Sequence, residues 1–379
     1  MHIGFNSSPR ASVGVEVELE LVDEDSRELT SRGSELLAVL GRGYPDGLHP
    51  RAKHELLEST IEIITGVCAD VPQARADLEE TLGEVQSVAC EAGVRLLCSG
   101  THPFSRWSDQ QITPNPRYLR LVNEVQWPAR RLQIFGIHVH VGVRSGERAI
   151  ALMNALCGYI PHLLALSASS PYWMGEDTGL ASCRSKVFES LPTAGVPLPL
   201  KGWAEFEQFM STLIAAKALT SIREVWWDIR PHPDFGTVEL RICDGIPTLR
   251  EVAMLAAMSQ CLVHWMDAAC ERGEALVEPA PWVVRQNKWR AARYGMDAEV
   301  IVNDQGALRP VREAISELVE TLTPVAQNRG CTAELESALE VAERGPSYLR
   351  QRAVVAAGGT LVDVVDSLIQ ELETDEPGW

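Results

Sequence analysis

At 379 residues, 45% of them apolar and 23% charged, the chain has the composition of an ordinary folded protein and the length of one large domain or two average ones. Its 52 acidic residues against 34 basic ones leave a net charge of -18, which argues against nucleic acid or an anionic membrane as partner, since both demand a basic surface. An anionic substrate would have to be met by local arginines.

The nine cysteines include no Cys-x-x-Cys pair. Several lie inside apolar runs, where a free thiol packs as a small hydrophobe, the usage of a reducing compartment. The amino end, Met1 to Arg10, lacks the apolar core of a signal peptide, and no run is expected to reach the ~18 apolar residues of a membrane span. These observations predict a soluble, cytoplasmic protein.

In chain order, residues 14 to 23 alternate Val15, Val17, Leu19 and Leu21 with Glu16, Glu18 and Glu20, the period of two that gives a strand one apolar and one acidic face. A short helix follows over Ser34 to Leu40, then a loop rich in glycine and proline over Arg42 to Pro50. Lys53 to Gly66 reads as a strand region. Asp70 and Pro72 open a helix with Leu78, Leu82, Val85 and Ala89 at helical spacing, closed by Gly93. Val94 to Ser99 predicts a buried strand, and residues 100 to 116 a loop. Asn115 and Pro116 start a helix that Pro128 must break or kink. Leu132 to Val143 predicts a strand, and Ser145 caps a long apolar helix to about Ser167, kinked at Pro161.

Residues 167 to 201 form the longest irregular stretch, a length that usually has a function inside a compact domain. A helix over Gly202 to Lys217 precedes a strand pair, Val225 to Arg230 and Thr237 to Cys243. Thr248-Leu-Arg-Glu251 is a capping box opening a helix to about Glu271, and further helices start near Pro310, Thr332, Pro346 and Thr360. No internal repeat is visible. Strands in the first two thirds and helices in the last predict an α+β fold with an antiparallel sheet.

Four stretches carry chemistry. The acidic strand is one, read either as a solvated edge or as carboxylates gathered about a cation, since like charges ~7 Å apart on a strand face repel. In Phe135-Gly-Ile-His-Val-His-Val-Gly142, His138 and His140 share a face, as structural residues or as ligands, and the flanking glycines permit close approach of another group. In Thr237-Val-Glu-Leu-Arg-Ile-Cys-Asp244, Glu239 and Arg241 share a face, as an ion pair or as a metal ligand beside a phosphate-gripping guanidinium. Glu62 projects from an apolar strand, and Glu55, an odd seven residues earlier, joins it only if the chain kinks or bulges near Ser59. A curved sheet could aim all of these into one cavity. Such a cluster is unfavourable without a cation, and oxygen-rich ligation suits Mg²⁺, with an imidazole also admitting Mn²⁺.

Taken together, Gly14-Val-Glu-Val-Glu18, His54-Glu-Leu-Leu-Glu-Ser-Thr-Ile-Glu62, Gly100-Thr-His-Pro-Phe104, Phe135 to Gly142, Ala168-Ser-Ser-Pro-Tyr172, Asp228-Ile-Arg-Pro231 and Phe235-Gly-Thr-Val-Glu-Leu-Arg241, with Asn287 to Gly295 near the end, resemble the carboxylate–amine ligase family of type 2 glutamate–cysteine ligases (YbdK type). The resemblance implies one glutamine synthetase-like catalytic domain over residues 1–379, helical from about residue 246, with a curved antiparallel sheet lining a funnel and helices packed outside. It implies ATP as co-substrate and an amide formed through an acyl phosphate, with glutamate and cysteine as the joined pair. By position, Glu16, His138 and Glu239 would hold the metal nearest the ATP phosphates, and Glu18, Glu55 and Glu62 a second one. Arg241 would be catalytic, touching the transferred phosphate. Arg184 and Arg230 are candidates to grip substrate carboxylates, and the loop from Ser170 to Arg184 could close over the site. Glu20, Glu58 and His140 match no ligand position, and no residue stands out as a general base. Self-association is compatible with this reading. An ATP:guanidino phosphotransferase of the same fold, a His-x-His metal hydrolase and a non-catalytic binding protein remain as alternatives.

Overall fold

Alternating valine or leucine and glutamate draw eleven residues into β1 (Val13–Asp23), the longest strand. The computed structural model describes residues 2–8 and 12–379; Met1, Pro9 and Arg10 of the amino-terminal segment read above lie outside the described residues. After β1 come α1 (Gly33–Leu40), β2 (Ala52–His54), β3 (Thr60–Ile64), α2 (Val71–Glu91), β4 (Val94–Leu97), α3 (Pro116–Val125), α4 (Trp127–Arg130), β5 (Ile137–Gly142), α5 (Gly146–Leu156) and α6 (Ile160–Ser167). A two-residue-strand hairpin, β6 (Tyr172–Trp173) and β7 (Glu176–Asp177), leads to α7 (Arg184–Phe188), α8 (Trp203–Ala215), β8 (Ile229–His232) and β9 (Thr237–Leu240). The chain ends with α9 (Leu249–Glu271), α10 (Pro281–Tyr294), the hairpin β10 (Glu299–Ile301) and β11 (Leu308–Pro310), and α11 (Val311–Arg329), α12 (Thr332–Arg344), α13 (Ser347–Ala356) and α14 (Leu361–Thr374).

The main sheet has seven strands in the order β2-β3-β1-β5-β9-β8, with β4 paired to the far end of β1. Every pairing in it is antiparallel. β1 spans it because its length serves three partners: Glu16 to Glu20 pair with β3, Val13 to Val17 with β5, and Glu20 to Asp23 with β4. The apolar face, with Val15, Val17, Leu19, Ile61, Ile63, Ile137, Val139 and Leu240, is buried in the main core with residues of α2, α5 and α9. α9 is apolar nearly all round and buried along most of its 23 residues, as expected of a central helix. The opposite face of the sheet is left for the carboxylates.

Several boundaries differ from the sequence expectation. The break in the Lys53 to Gly66 region is a full reversal: β2 and β3 form a hairpin through residues 55–59, with Lys53 opposite Glu62, so no bulge is needed. The α3–α4 break falls at Gln126, with φ of 62°, ahead of Pro128, which sits in the first turn of α4, where a missing N–H is harmless. Likewise the apolar run after Ser145 is interrupted at Cys157–Tyr159, placing Pro161 in the first turn of α6. That run, Gly146–Ser167, is after all long and apolar enough to pass for a membrane span, but 78% of its most apolar 18-residue window is buried inside the protein. The first strand of the expected pair shifts to Ile229–His232 and accommodates Pro231 by lying at the sheet edge. Helix α10 falls in the part expected to be helical, though the sequence reading places no start there, and the β10–β11 hairpin interrupts that part.

Candidate functional site

The acidic face of β1 carries Glu16 and Glu18 into a cavity of about 310 Å³. Strand register supplies their neighbours: His138 of β5 lies opposite Glu16, and Glu62 of β3 opposite Glu18. Three overlapping groups result, in each of which one ligand atom per residue lies within 4.8 Å of the others: Glu18, Glu55 and Glu62; Glu16, Glu62 and His138; Glu16, His140 and Glu239. Glu55 joins the first because it sits at the start of the β2–β3 turn. Glu239 is grouped with His140 instead of His138, because β5 and β9 pair with Glu239 opposite His140. His138 Nδ1 lies 2.9 Å from Glu16 Oε2, and His140 Nε2 lies 3.4 Å from Glu16 Oε1 and 4.0 Å from Glu239 Oε1. His140 thus stands among the ligand candidates. Glu20 and Glu58 do not: Glu20 is buried and accepts from Ser99 N and Oγ at 3.1 and 2.7 Å, and Glu58 accepts from Ser34 N and Oγ at the start of α1.

The electrostatics divide the cluster. Burial pushes the Glu18 carboxyl up to about 8, with the Glu55 charge adding and Arg184 and the Gly136 N–H opposing. Glu55 and Glu62 are raised too, by burial first and then by neighbouring carboxylates. Glu16 goes the other way: burial pushes it up, but hydrogen bonds and charge from His138 and His140 outweigh that and hold it well below the usual range. Burial, with the Arg241 charge, lowers His138 to about 4 against the pull of Glu16, which leaves a neutral imidazole at pH 7, the form that ligates metals.

The arginines have distinct places. Arg230 grips Glu239 with two bonds, Nε to Oε2 at 2.7 Å and Nη2 to Oε1 at 3.1 Å, while its Nη1 donates to the carbonyls of Ile222 and Val225. Most of its donors are therefore committed to holding Glu239, and little remains for a substrate. Arg241 bonds the same Glu239 through Nη1, lies 3.5 Å from His138 Nδ1 and lines the cavity. Arg184 runs beneath Gly136, where a Cβ would come within 2.1 Å of its Nη2; this is the close approach for which that glycine leaves room. Its Nη1 and Nη2 donate weakly to the carbonyls of Ile242 and Arg241, its Nη1 lies 3.8 Å from Asp244 Oδ1, and its Nε has no partner among the described residues.

The loop before Arg184 is fastened at both ends. Asp244 collects Ser170 Oγ at 2.6 Å, Ser182 Oγ at 2.8 Å and Ser169 N at 3.2 Å, stapling both ends of residues 169–182 together, and none of those residues lines the cavity. The late Asn287 to Gly295 motif acts from behind: Lys288 Nζ bonds both oxygens of Asp228 at 2.8 and 2.7 Å and Glu189 at 2.7 Å, bracing the segment that leads into β8. Sequence reasoning missed the rim, where Arg117, Tyr118, Arg223, Trp226 and Phe235 line the cavity. They come from separate segments and share no period, so no local signal marks them.

The donor set fits divalent cations. Half-buried Glu18, Glu55 and Glu62 converge with no ion pair to a cationic side chain among the described residues, and the groups are rich in oxygen with one or two imidazoles, which suits Mg²⁺ and admits Mn²⁺.

The sequence matches the profile of glutamate-cysteine ligase family 2 over residues 12–367. A protein of Frankia casuarinae, provisionally named glutamate–cysteine ligase 2-1, is 55% identical over 378 residues, covering 100% of this chain and 99% of its own. One of Thermobifida fusca, provisionally named glutamate–cysteine ligase 2, is 49% identical over 377 residues, covering 100% of this chain and 94% of its own. Among solved structures, a glutamate–cysteine ligase of Francisella tularensis in complex with AMP superposes with a TM-score of 0.72 at 13% identity, covering 98% of this chain and 90% of that one. A bifunctional glutathione synthetase of Pasteurella multocida gives 0.70 at 16% identity, covering 96% and 52%. The fold is thus glutamine synthetase-like, as expected, and the chain belongs to glutamate-cysteine ligase family 2.

Proposed function

We propose that the protein is an ATP-dependent carboxylate–amine ligase of the glutamate–cysteine ligase type, joining the γ-carboxylate of glutamate to the amine of cysteine. The observation that carries this reading is the chain of three overlapping acid and imidazole groups along one cavity, flanked by Arg241 and Arg184, in a member of that family. The family relation and the near full-length likeness to a ligase crystallised with AMP support ATP as the co-substrate.

A carboxylate is a poor electrophile, so it first takes the terminal phosphoryl group of ATP, releasing ADP; the amine then attacks the acyl carbon, the C–N bond forms as the C–O bond to phosphate breaks, and inorganic phosphate leaves with the amine's proton. Glu18, Glu55 and Glu62 would hold one divalent cation on the acid-substrate side. Glu16, His138, His140 and Glu239 would hold the cation nearer the triphosphate. Bound there, such cations neutralise the cluster and the charge of the transferring phosphoryl group. The residues of the chain supply the rest by position and field. Arg241, fixed by Glu239, presents a guanidinium to the transferring group, and Arg230 keeps Glu239 from turning away. Arg184 adds positive charge beside Glu18. The exposed rim arginines Arg117 and Arg223 are the candidates to meet the acid's remaining carboxylate, a role for which Arg230 is too committed.

One catalytic domain is the simplest organisation, since the main core runs from Val13 to Leu372. The nine cysteines are all free, which supports a cytoplasmic setting. The reading is tested by measuring Mg²⁺-dependent ADP and phosphate release with a panel of amino acids. The expected result is release of both only when an acid and an amine are present. ADP without free phosphate would instead indicate a phosphagen-forming transferase, and ATP-independent hydrolysis would refute ligation.

A further inference from the structure

Phe235 occupies the turn between β8 and β9 and is 55% exposed, yet it lines the cavity. The turn that carries it is pinned. Asn6 N donates to Pro233 O at 2.9 Å, and Asn6 Nδ2 to Asp234 O at 2.7 Å. Gly236 adopts a φ of 66°, and a Cβ there would meet Asn6 O at 1.5 Å. The ring itself lies flat on His232, with centroids 4.0 Å apart and planes within 8°. His232 is buried and stands edge-on to His140 at 5.8 Å. A large aromatic ring is therefore held with one face against His232 and with His140 edge-on to it at 5.6 Å, while 55% of the residue stays exposed among the described residues.

Its place along the sheet gives this ring a use. Gly142 of β5 pairs with Thr237, next to the turn, and lies four residues beyond His138, or about 14 Å along an extended strand. The Glu18, Glu55 and Glu62 group lies on the other side of the Glu16 and His138 centre. A nucleoside triphosphate with its terminal phosphate at that centre would extend its base toward Phe235. We propose that Phe235, backed by His232, is the platform on which the purine of the bound nucleotide stacks. This rests on the ligase reading, which puts the phosphates beside Glu16, His138 and Arg241. Purine and phenyl faces stack readily, and the interaction adds affinity without choosing among bases.

Calorimetric titration of the whole protein with Mg·ADP and with Mg·tripolyphosphate separates base from phosphate. In Phe235→Ala the dissociation constant for Mg·ADP should rise about tenfold, that for Mg·tripolyphosphate should stay as in wild type, and Phe235→Trp should restore ADP binding. Unchanged ADP affinity in Phe235→Ala overturns the platform while leaving the ligase reading standing. Equal loss of both ligands also overturns it, as does a change of molecular mass with no change in ADP binding, which makes the ring a contact between subunits. If wild type binds neither ligand, the nucleotide reading itself fails and the platform with it.

Discussion

Replacing Glu18 by glutamine should make the metal-free protein more stable while weakening its response to Mg²⁺. In the folded chain burial pushes this carboxyl up to about 8 from an ordinary 4.5. The folded state therefore keeps a proton that the unfolded chain releases, and stability is lost as pH rises from 4.5 toward 8. The part of that shift lying between 4.5 and pH 7 corresponds to about 3 kcal/mol at 1.36 kcal/mol per unit. Because Glu18 opens on to the cavity, where solvent screens part of the effect, ~1–2 kcal/mol is the expected gain. Glutamine keeps the shape, and its amide oxygen can still accept the Gly136 N–H that Glu18 Oε2 takes at 2.5 Å. Urea unfolding in chelator at pH 5 and pH 7.5 checks this: the variant should exceed wild type at pH 7.5 and approach it at pH 5. Added Mg²⁺ at about a hundredfold its dissociation constant should stabilise wild type by about 2.7 kcal/mol and the variant by less. A variant less stable than wild type at pH 7.5, or an equal Mg²⁺ gain in both, would refute the argument.

Three further expectations follow from individual contacts. Arg230→Gln removes one partner of the buried Arg230–Glu239 pair and should lower unfolding free energy by about 3–5 kcal/mol in urea denaturation; a change under about 1 kcal/mol would count against the pair. His102 is buried, with Nε2 on Arg27 O at 2.9 Å and Nδ1 facing the Ser105 N–H at 3.0 Å, and burial lowers it to about 3 from an ordinary 6.5. Its contribution is complete above 6.5 and is lost as pH falls toward 3, about 2 kcal/mol by pH 5; His102→Gln should lose that much less between pH 7 and pH 5, and parallel pH curves would count against it. Arg117→Ala should raise KM for the acid substrate about tenfold, the worth of a charge-assisted bond, with a smaller change in kcat; unchanged steady-state constants would remove Arg117 from substrate binding.

What could be read in advance was whatever has a local period. The alternation over residues 14 to 23 defined both faces of β1, and the same period put Glu62, His138 and Glu239 on polar strand faces. Their convergence follows from antiparallel pairing, but the stagger does not: that Glu239 lies opposite His140 depends on how β5 and β9 register. Glu55 needed a change of direction between residues 54 and 60, and the sequence shows an odd offset without showing that the change is a hairpin. Arg230 looked like a substrate arginine because its type suits carboxylates; only the fold reveals that Glu239 and two carbonyls already occupy it. The serine-rich segment before Arg184 looked like a mobile cover until Asp244, more than sixty residues later in sequence, proved to fasten it. Rim residues such as Arg117 and Phe235 are joined only by tertiary contact.

The central claim is that a carboxylate is activated by phosphorylation in the acid-lined cavity before an amine displaces phosphate. Supplying the amino acid with ¹⁸O in its reacting carboxylate, together with ATP, Mg²⁺ and the amine, tests it directly. The account predicts one ¹⁸O atom in the inorganic phosphate for each amide formed. Amide formation with unlabelled phosphate, or label passing into AMP, would contradict it.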